Sequence, residues 1–204
     1  MKLKWAGLPA RAFPKWIVVV ALSYVLTFMF QANVIFPVEK FFVPGFTELA
    51  SLMFLPHAVR TLGTAIVGPR AFWALFPAVL GIHYVDYQPI SWALSWQAVL
   101  VALTGAGCAP VGYYIVRSVY RYRTSFEAAL LNWKPVFAIG VAASLVNTAA
   151  LCLLFSASFG LRSLPYVVLR FLIGDIVGLA AGLLLLVFCF RILRADDTDN
   201  TPQP

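Results

Sequence analysis

Apolar runs about as long as a membrane is thick recur along the whole chain. A helix rising about 1.5 Å per residue needs about 20 apolar residues to cross roughly 30 Å of hydrocarbon. Six segments come close to that length: Trp16–Phe36, Gly45–Val67, Ala71–Tyr84, Ser91–Val116, Pro135–Ser158 and Pro165–Phe190. The sequence therefore predicts an all-α, polytopic membrane bundle of about six helices over residues 1–194, followed by a polar, disordered tail at 195–204.

The composition supports this prediction. Only 11% of the residues are charged and 62% are hydrophobic, whereas a soluble domain carries about 25% charged residues. A water-soluble globule could not cover itself with so little polar surface. The net charge of +7 does not predict nucleic-acid binding, because the basic residues collect at the ends of apolar segments instead of forming an exposed patch.

Lysine and arginine also predict the orientation. Eleven of them precede segment one, follow segment six, or lie in the loops on that same side: Lys2, Lys4, Arg11, Lys15, Arg70, Arg117, Arg121, Arg123, Lys134, Arg191 and Arg194. The opposite loops hold only Lys40 and Arg162. Since positive loops stay in the cytoplasm, we expect both termini inside and a multi-pass bacterial inner-membrane location. Phe30 stands where a signal-peptide cleavage site needs a small residue, so the first segment is expected to be retained.

Two segments are interrupted by proline. Pro56 is expected to kink or break the second helix, because proline removes a backbone hydrogen bond and clashes with the preceding turn. Pro77 interrupts the third, which is also short. The two segments together could form a broken pair or a partly re-entrant hairpin, which is tolerated only against protein or a water-filled cavity.

Small residues recur every four positions in the last two segments: Gly140, Ser144 and Thr148 in the fifth, and Gly174, Gly178 and Gly182 in the sixth. Such stripes let helices approach closely in lipid, where hydrophobicity gives them little reason to associate. The stripes are expected to join segments five and six, or alternatively two copies of the chain.

Ionisable residues inside apolar segments are costly and mark candidate functional sites. Counted along ideal helices, Glu48, Arg170 and Asp175 lie about 5, 8 and 15 Å below the outer boundary. We expect them, with Asn147, to line a ligand-binding cavity open to the outside. Arg170 would pair with Glu48 or Asp175, and an offset of about 140° between residues five apart favours pairing across helices. The alternative is that these charges only fix helix packing.

His57 and Arg60 share one helix face beyond Pro56 and form a possible inner polar site nearer the cytoplasm. There they could meet lipid headgroups, Arg70 or a bound anion. The alternatives are a hydrogen-bonded interior histidine and an arginine that reaches the interface through its aliphatic stem.

Neither catalysis nor a cofactor is predicted. The sequence contains no zinc-protease, nucleophile-elbow, phosphate-loop or dinucleotide-binding motif. Cys108, Cys152 and Cys189 lie in three different apolar segments without metal-ligand or disulfide spacing, so they are expected to be small core residues.

Two stretches resemble a bacterial membrane-associated sensor domain, the first of the families so named. One runs from Phe42 to Ala50 and continues through Pro69-Arg70 to Leu80-Gly81, although Phe42 and Val43 stand where that family has tryptophan and proline. The other is the Gly-Asp-x-x-Gly pattern at Gly174, Asp175 and Gly178. The resemblance implies a sensory, small-ligand-binding bundle. Since such domains usually precede a cyclase, phosphodiesterase or histidine kinase, signalling here would need a partner protein.

The expected architecture is also similar to the substrate-binding subunit of energy-coupling-factor vitamin transporters. That resemblance implies a transport component as the alternative function, with the Gly174, Gly178 and Gly182 stripe facing a partner. A structural or assembly subunit is the third possibility. The expected partners are the lipid bilayer, an unknown small molecule, and a membrane or cytoplasmic signalling protein.

Overall fold

The computed structural model describes residues 15–43, 51–86, 96–120, 133–154 and 164–199, and all regular structure in these ranges is helical. The elements are α1 (Lys15–Phe30), a π-helix (Gln31–Ile35), α2 (Phe36–Phe42), α3 (Leu55–Val67), a 3-10 turn (Gly68–Ala71), α4 (Phe72–Asp86), α5 (Trp96–Tyr120), α6 (Trp133–Leu154) and α7 (Leu164–Asp199). The predicted all-α class is confirmed for the described ranges.

Five helical stretches are long and apolar enough to cross a membrane: Lys15–Phe42, Leu55–Val85, Trp96–Val119, Trp133–Leu154 and Pro165–Phe188. Their outward faces carry large apolar side chains, such as Leu26 and Leu153, which are 67% and 78% exposed. A surface of this kind suits lipid and not water. The chain therefore has the make-up of a multi-pass membrane protein.

The second of these stretches is a helical hairpin, not one straight helix. A Cβ added to Gly105 would lie 3.6 Å from Val79 Cγ1 and 3.7 Å from Arg60 Nη1. Residues 60 and 79 of one straight helix would be about 28 Å apart, which is too far for both to reach the same glycine. The chain reverses at Gly68, whose φ of 80° and ψ of −167° favour glycine. Residues 55–85 therefore form a hairpin, and six full crossings stays a prediction.

Pro56 marks the start of a helix, and the predicted kink or break within a longer second helix is not confirmed. Residues 51–54 are non-helical, and α3 begins at Leu55 with Pro56 in its first turn. Proline is tolerated there because the first helical amides have no partner within the helix. The proline therefore marks a helix start, which shifts every depth counted along this segment.

Helix α3 lies inside the bundle and runs antiparallel to α1. Matching contacts along the two helices establish the direction: Gly63 with Val20, Arg60 with Tyr24, and Leu55 with Gln31. Nine of its thirteen residues are buried, among them His57, Arg60, Thr61 and Thr64. A helix whose polar side chains are buried in a bundle with an apolar exterior is the natural place to look for a site.

The glycine stripe of α7 packs against α3 and the segment before it. A Cβ on Gly174 would collide with the carbonyl oxygen of Ser51, and one on Gly178 with the backbone of Phe54. Phe54 N donates a 2.8 Å hydrogen bond to Gly174 O across this contact. The predicted close packing is present within one chain, but its partner is α3 and not α6.

Helix α6 meets α7 through the other predicted stripe. A Cβ on Gly140 would collide with the Leu179 side chain and lie 3.3 Å from Thr61 Cγ2. Ser144, one turn further along α6, reaches Asp175 of α7. These contacts bring α3, α6 and α7 together around one level of the bundle, and that level holds the candidate site.

Candidate functional site: a polar centre between α3, α6 and α7

Asp175 lies at the middle of a buried group that we call the polar centre: His57, Arg60, Ser144 and Asp175. Asp175 is only 1% exposed. Ser144 Oγ donates a 2.8 Å hydrogen bond to Asp175 Oδ2. The glycine before it, Gly174, lets α7 approach the backbone of Ser51, and this close approach places the carboxylate beside the first turn of α3.

His57 faces the same carboxylate oxygen. Its Nδ1 is 3.5 Å from Asp175 Oδ2, and its Nε2 is 3.0 Å from Gly140 O. A carbonyl oxygen only accepts, so Nε2 carries a hydrogen and donates it to Gly140. In a neutral ring Nδ1 would then direct a lone pair at the carboxylate. Nδ1 is buried and makes no hydrogen bond to the described residues.

Arg60 occupies the α1 and α5 side of the centre. It is 4% exposed, and its Nη1 donates to Gly105 O at 3.3 Å and to Cys108 Sγ at 3.7 Å. Its guanidinium carbon lies 5.6 Å from the ring centroid of Tyr24 and 5.2 Å from that of Phe54, within cation–π range. Nε is buried without a hydrogen-bond partner. Within the described ranges no carboxylate lies within 4.0 Å of this cation.

The structure joins the two sites that sequence analysis kept apart. His57 of the predicted inner site contacts Asp175 of the predicted outer cavity. The separation was wrong because His57, two residues after the start of α3 at Leu55, lies level with Asp175 and contacts it.

The other predicted ligand-binding residues have different outcomes. Asp175 contacts Ser144 and His57, and its pairing with Arg170 stays a prediction. Arg170 is half-buried on α7. Glu48 lies outside the described residues, and its pairing with Arg170 stays a prediction. Asn147 is buried on the α6 face that carries Ser144.

A second buried polar group was not predicted. Gln31 is completely buried; its Nε2 donates to Ser51 Oγ at 2.8 Å, and its Oε1 accepts from Leu55 N at 3.1 Å. Ser51 Oγ donates to Glu39 Oε1 at 2.8 Å, and Met53 N donates to the same oxygen at 3.1 Å. Two polar residues at the end of an apolar run were the signal available in the sequence.

This second group, Gln31, Glu39 and Ser51, ties the end of the first span to the non-helical segment Ser51–Phe54. Gln31 is the first residue of the π-helix Gln31–Ile35, and Glu39 lies in α2, which follows it; such distortions often mark functional sites. The segment is also bonded to Gly174 on its other side. It therefore covers the polar centre at the helix start next to His57.

Metal ligation has no support in the described ranges, where no group of three or more His, Cys, Asp or Glu side chains could hold an ion. Comparisons of the chain with protein-family models, with curated proteins and with solved structures gave no match in any of the three.

Proposed function

We propose that the chain is a receptor-like inner-membrane module that binds a small polar ligand at the polar centre and signals through a partner protein. One observation carries the proposal: His57 and Asp175, from different helices, face each other with side-chain exposures of 0% and 2%. Intramembrane ionisable residues are expensive and usually serve a ligand or proton path. Because well-packed apolar residues often stabilise a fold as well as a buried ion pair does, stability alone gives little reason to bury these two groups.

The segment Ser51–Phe54 is the proposed link between binding and signalling. It touches the polar centre through α3 and Gly174, and it touches the first span through Gln31 and Glu39. A ligand that bonds differently to His57 or Asp175 would bias the position of this segment, since a ligand shifts an equilibrium by its differential affinity for the two states. The first span would then carry the change to a partner.

The runner-up is a transport component that uses the same centre. The helical hairpin favours it, because α3 and α4 have only 13 and 15 residues and are each too short to cross about 30 Å of hydrocarbon. Short, interrupted helices often surround transporter binding sites. Cells that lack the protein would then fail to accumulate one nutrient, and normal uptake across a panel of vitamins and nucleobases would exclude this function.

The test is native mass spectrometry of gently purified protein, comparing wild type with Asp175→Asn. Asparagine keeps the shape and can still accept from Ser144, but it cannot carry the charge. We expect wild type to retain a small molecule that Asp175→Asn loses.

The matched control is Glu39→Gln, the same change at a buried carboxylate outside the centre, which should retain the molecule. The proposal is wrong if the mass spectrum of wild type shows neither a ligand nor a partner and cells with Asp175→Asn have the wild-type phenotype. The buried charges would then serve packing alone.

A further inference from the structure

We infer that Arg60 binds an anionic group of the ligand, a carboxylate or a phosphate. This inference rests on the proposed function and names the chemical class of the ligand. The inference is based on the burial of Arg60, the one buried arginine or lysine in the described ranges, without a carboxylate within 4.0 Å. A buried charge without compensation is costly, so such cations are normally paired.

The donors left over on Arg60 fit this role. A guanidinium carries five N–H donors in a rigid fork. Nη1 bonds to Gly105 O and Cys108 Sγ, and the Tyr24 side chain also lies within hydrogen-bonding reach of the guanidinium. Nε is buried and has no hydrogen-bond partner, and together with the neighbouring Nη2 it forms one edge of the fork. Two parallel N–H groups on one edge match the two oxygens of a carboxylate or phosphate.

Aromatic side chains hold the fork in place. The guanidinium carbon lies over the rings of Tyr24 and Phe54, at 5.6 and 5.2 Å from their centroids. Contacts of this kind occupy the face of the guanidinium and leave its in-plane edge for hydrogen bonds. Phe54 belongs to the segment that covers the polar centre, so an anion on Arg60 would lie next to that segment.

The described carboxylate that acts electrostatically on Arg60 is already engaged within the protein. Asp175 accepts from Ser144 and faces His57. Tyr24 and Cys108, which also adjoin Arg60, are neutral in their ordinary phenol and thiol forms. Glu48 lies outside the described residues, and the experiment must separate this carboxylate from an external anion.

The test measures thermal stability in dodecyl maltoside, whose headgroup has no charge, with added inorganic phosphate or acetate against chloride at equal ionic strength. Free anion is one arm, and phosphatidylglycerol is a second arm that presents phosphate from a lipid headgroup. We expect phosphate or acetate to raise the melting temperature of wild type in a saturable way. Stabilisation by the lipid alone would assign the anion to a headgroup.

Arg60→Met should abolish the response, and Arg60→Lys should weaken apparent affinity about tenfold, because an ammonium lacks the bidentate fork. The matched control is Arg117→Lys, the same change at an exposed arginine, which should respond like wild type. Arg60→Lys keeps the charge and so covers the case in which Arg60→Met does not fold.

Three results would overturn the inference. Added anion could fail to raise the melting temperature of wild type, it could raise that of Arg60→Met as much as that of wild type, or it could raise only that of Glu48→Gln. The last result would show that Glu48 neutralises Arg60. The inference can fail while the proposed function holds. If Arg60→Met retains a molecule that Asp175→Asn loses, the protein is a receptor that does not use Arg60.

Discussion

Replacing Gly178 with alanine tests the contact that places Asp175 beside His57. The added Cβ would lie within 3.0 Å of three backbone atoms of Phe54. Backbone cannot rotate away as a side chain can, so α7 must move outward from α3. The hydrogen bond from Phe54 N to Gly174 O, now 2.8 Å, lies one turn away and would be stretched by that movement.

The expected loss of stability can be worked from these contacts. Overpacking a close contact costs about 1–3 kcal/mol, and a weakened hydrogen bond adds about 1 kcal/mol. Alanine regains about 1 kcal/mol through its higher helix propensity. The net loss is about 2 kcal/mol, and a chain of this size loses roughly 2–4 °C of melting temperature per kcal/mol. Gly178→Ala should therefore melt roughly 4–8 °C below wild type.

The assay is tryptophan fluorescence during thermal unfolding in detergent. The matched control is Gly81→Ala on α4, where an added Cβ meets nothing within 4 Å, so this variant should melt at or slightly above wild type. If Gly178→Ala melts as high as Gly81→Ala, the close approach of α7 and α3 is wrong, and the assignment of the polar centre fails with it.

Three further predictions concern the polar groups and the orientation. Ser144→Ala removes the bond to Asp175 and should cost about 2 kcal/mol in thermal stability, since hydrogen bonds to charged groups contribute about 1.5–3 kcal/mol. Gln31→Leu leaves Leu55 N–H without its acceptor, so hydrogen–deuterium exchange at the start of α3 should quicken about tenfold. A fluorescent protein fused to the C-terminus should fluoresce in the cytoplasm, because positive loops stay inside.

Each of these has its own control. Ser118→Ala removes an exposed hydroxyl bonded only to Ile115 O and should melt like wild type. Asn33→Leu removes an exposed amide bond to Met29 O and should leave exchange at Leu55 unchanged. If a control variant changes the melting temperature or the exchange rate as much as its test variant does, the buried hydrogen bond contributes no more than an exposed one. A dark C-terminal fusion would place the C-terminus outside, and the predicted orientation would be wrong.

Sequence reasoning identified the apolar spans and the residues of the polar centre, but not how those residues pair. The sequence predicts that Arg170 pairs with Glu48 or Asp175 and favours pairing across helices, whereas the described contacts of Asp175 are Ser144 and His57. Ser144 had been counted only as a small packing residue. Its short side chain does allow α6 and α7 to approach, and its hydroxyl becomes a donor only because that approach brings a carboxylate within reach. Gln31 was overlooked because it lies in an apolar run whose hydropathy hides one polar side chain, and Glu39 because it lies just past the end of that run.

The sequence by itself determined the helical, membrane-spanning character of the chain, because apolar length and the scarcity of charge leave no other stable arrangement for the backbone. It also determined which side chains are ionisable within the spans. Tertiary structure decided where α3 begins, that residues 55–85 turn back at Gly68, and that α7 packs on α3. Those features depend on backbone contacts between distant segments. The hydrophobic periodicity of a single span does not specify such contacts. These contacts alone bring His57, Ser144 and Asp175 to one level.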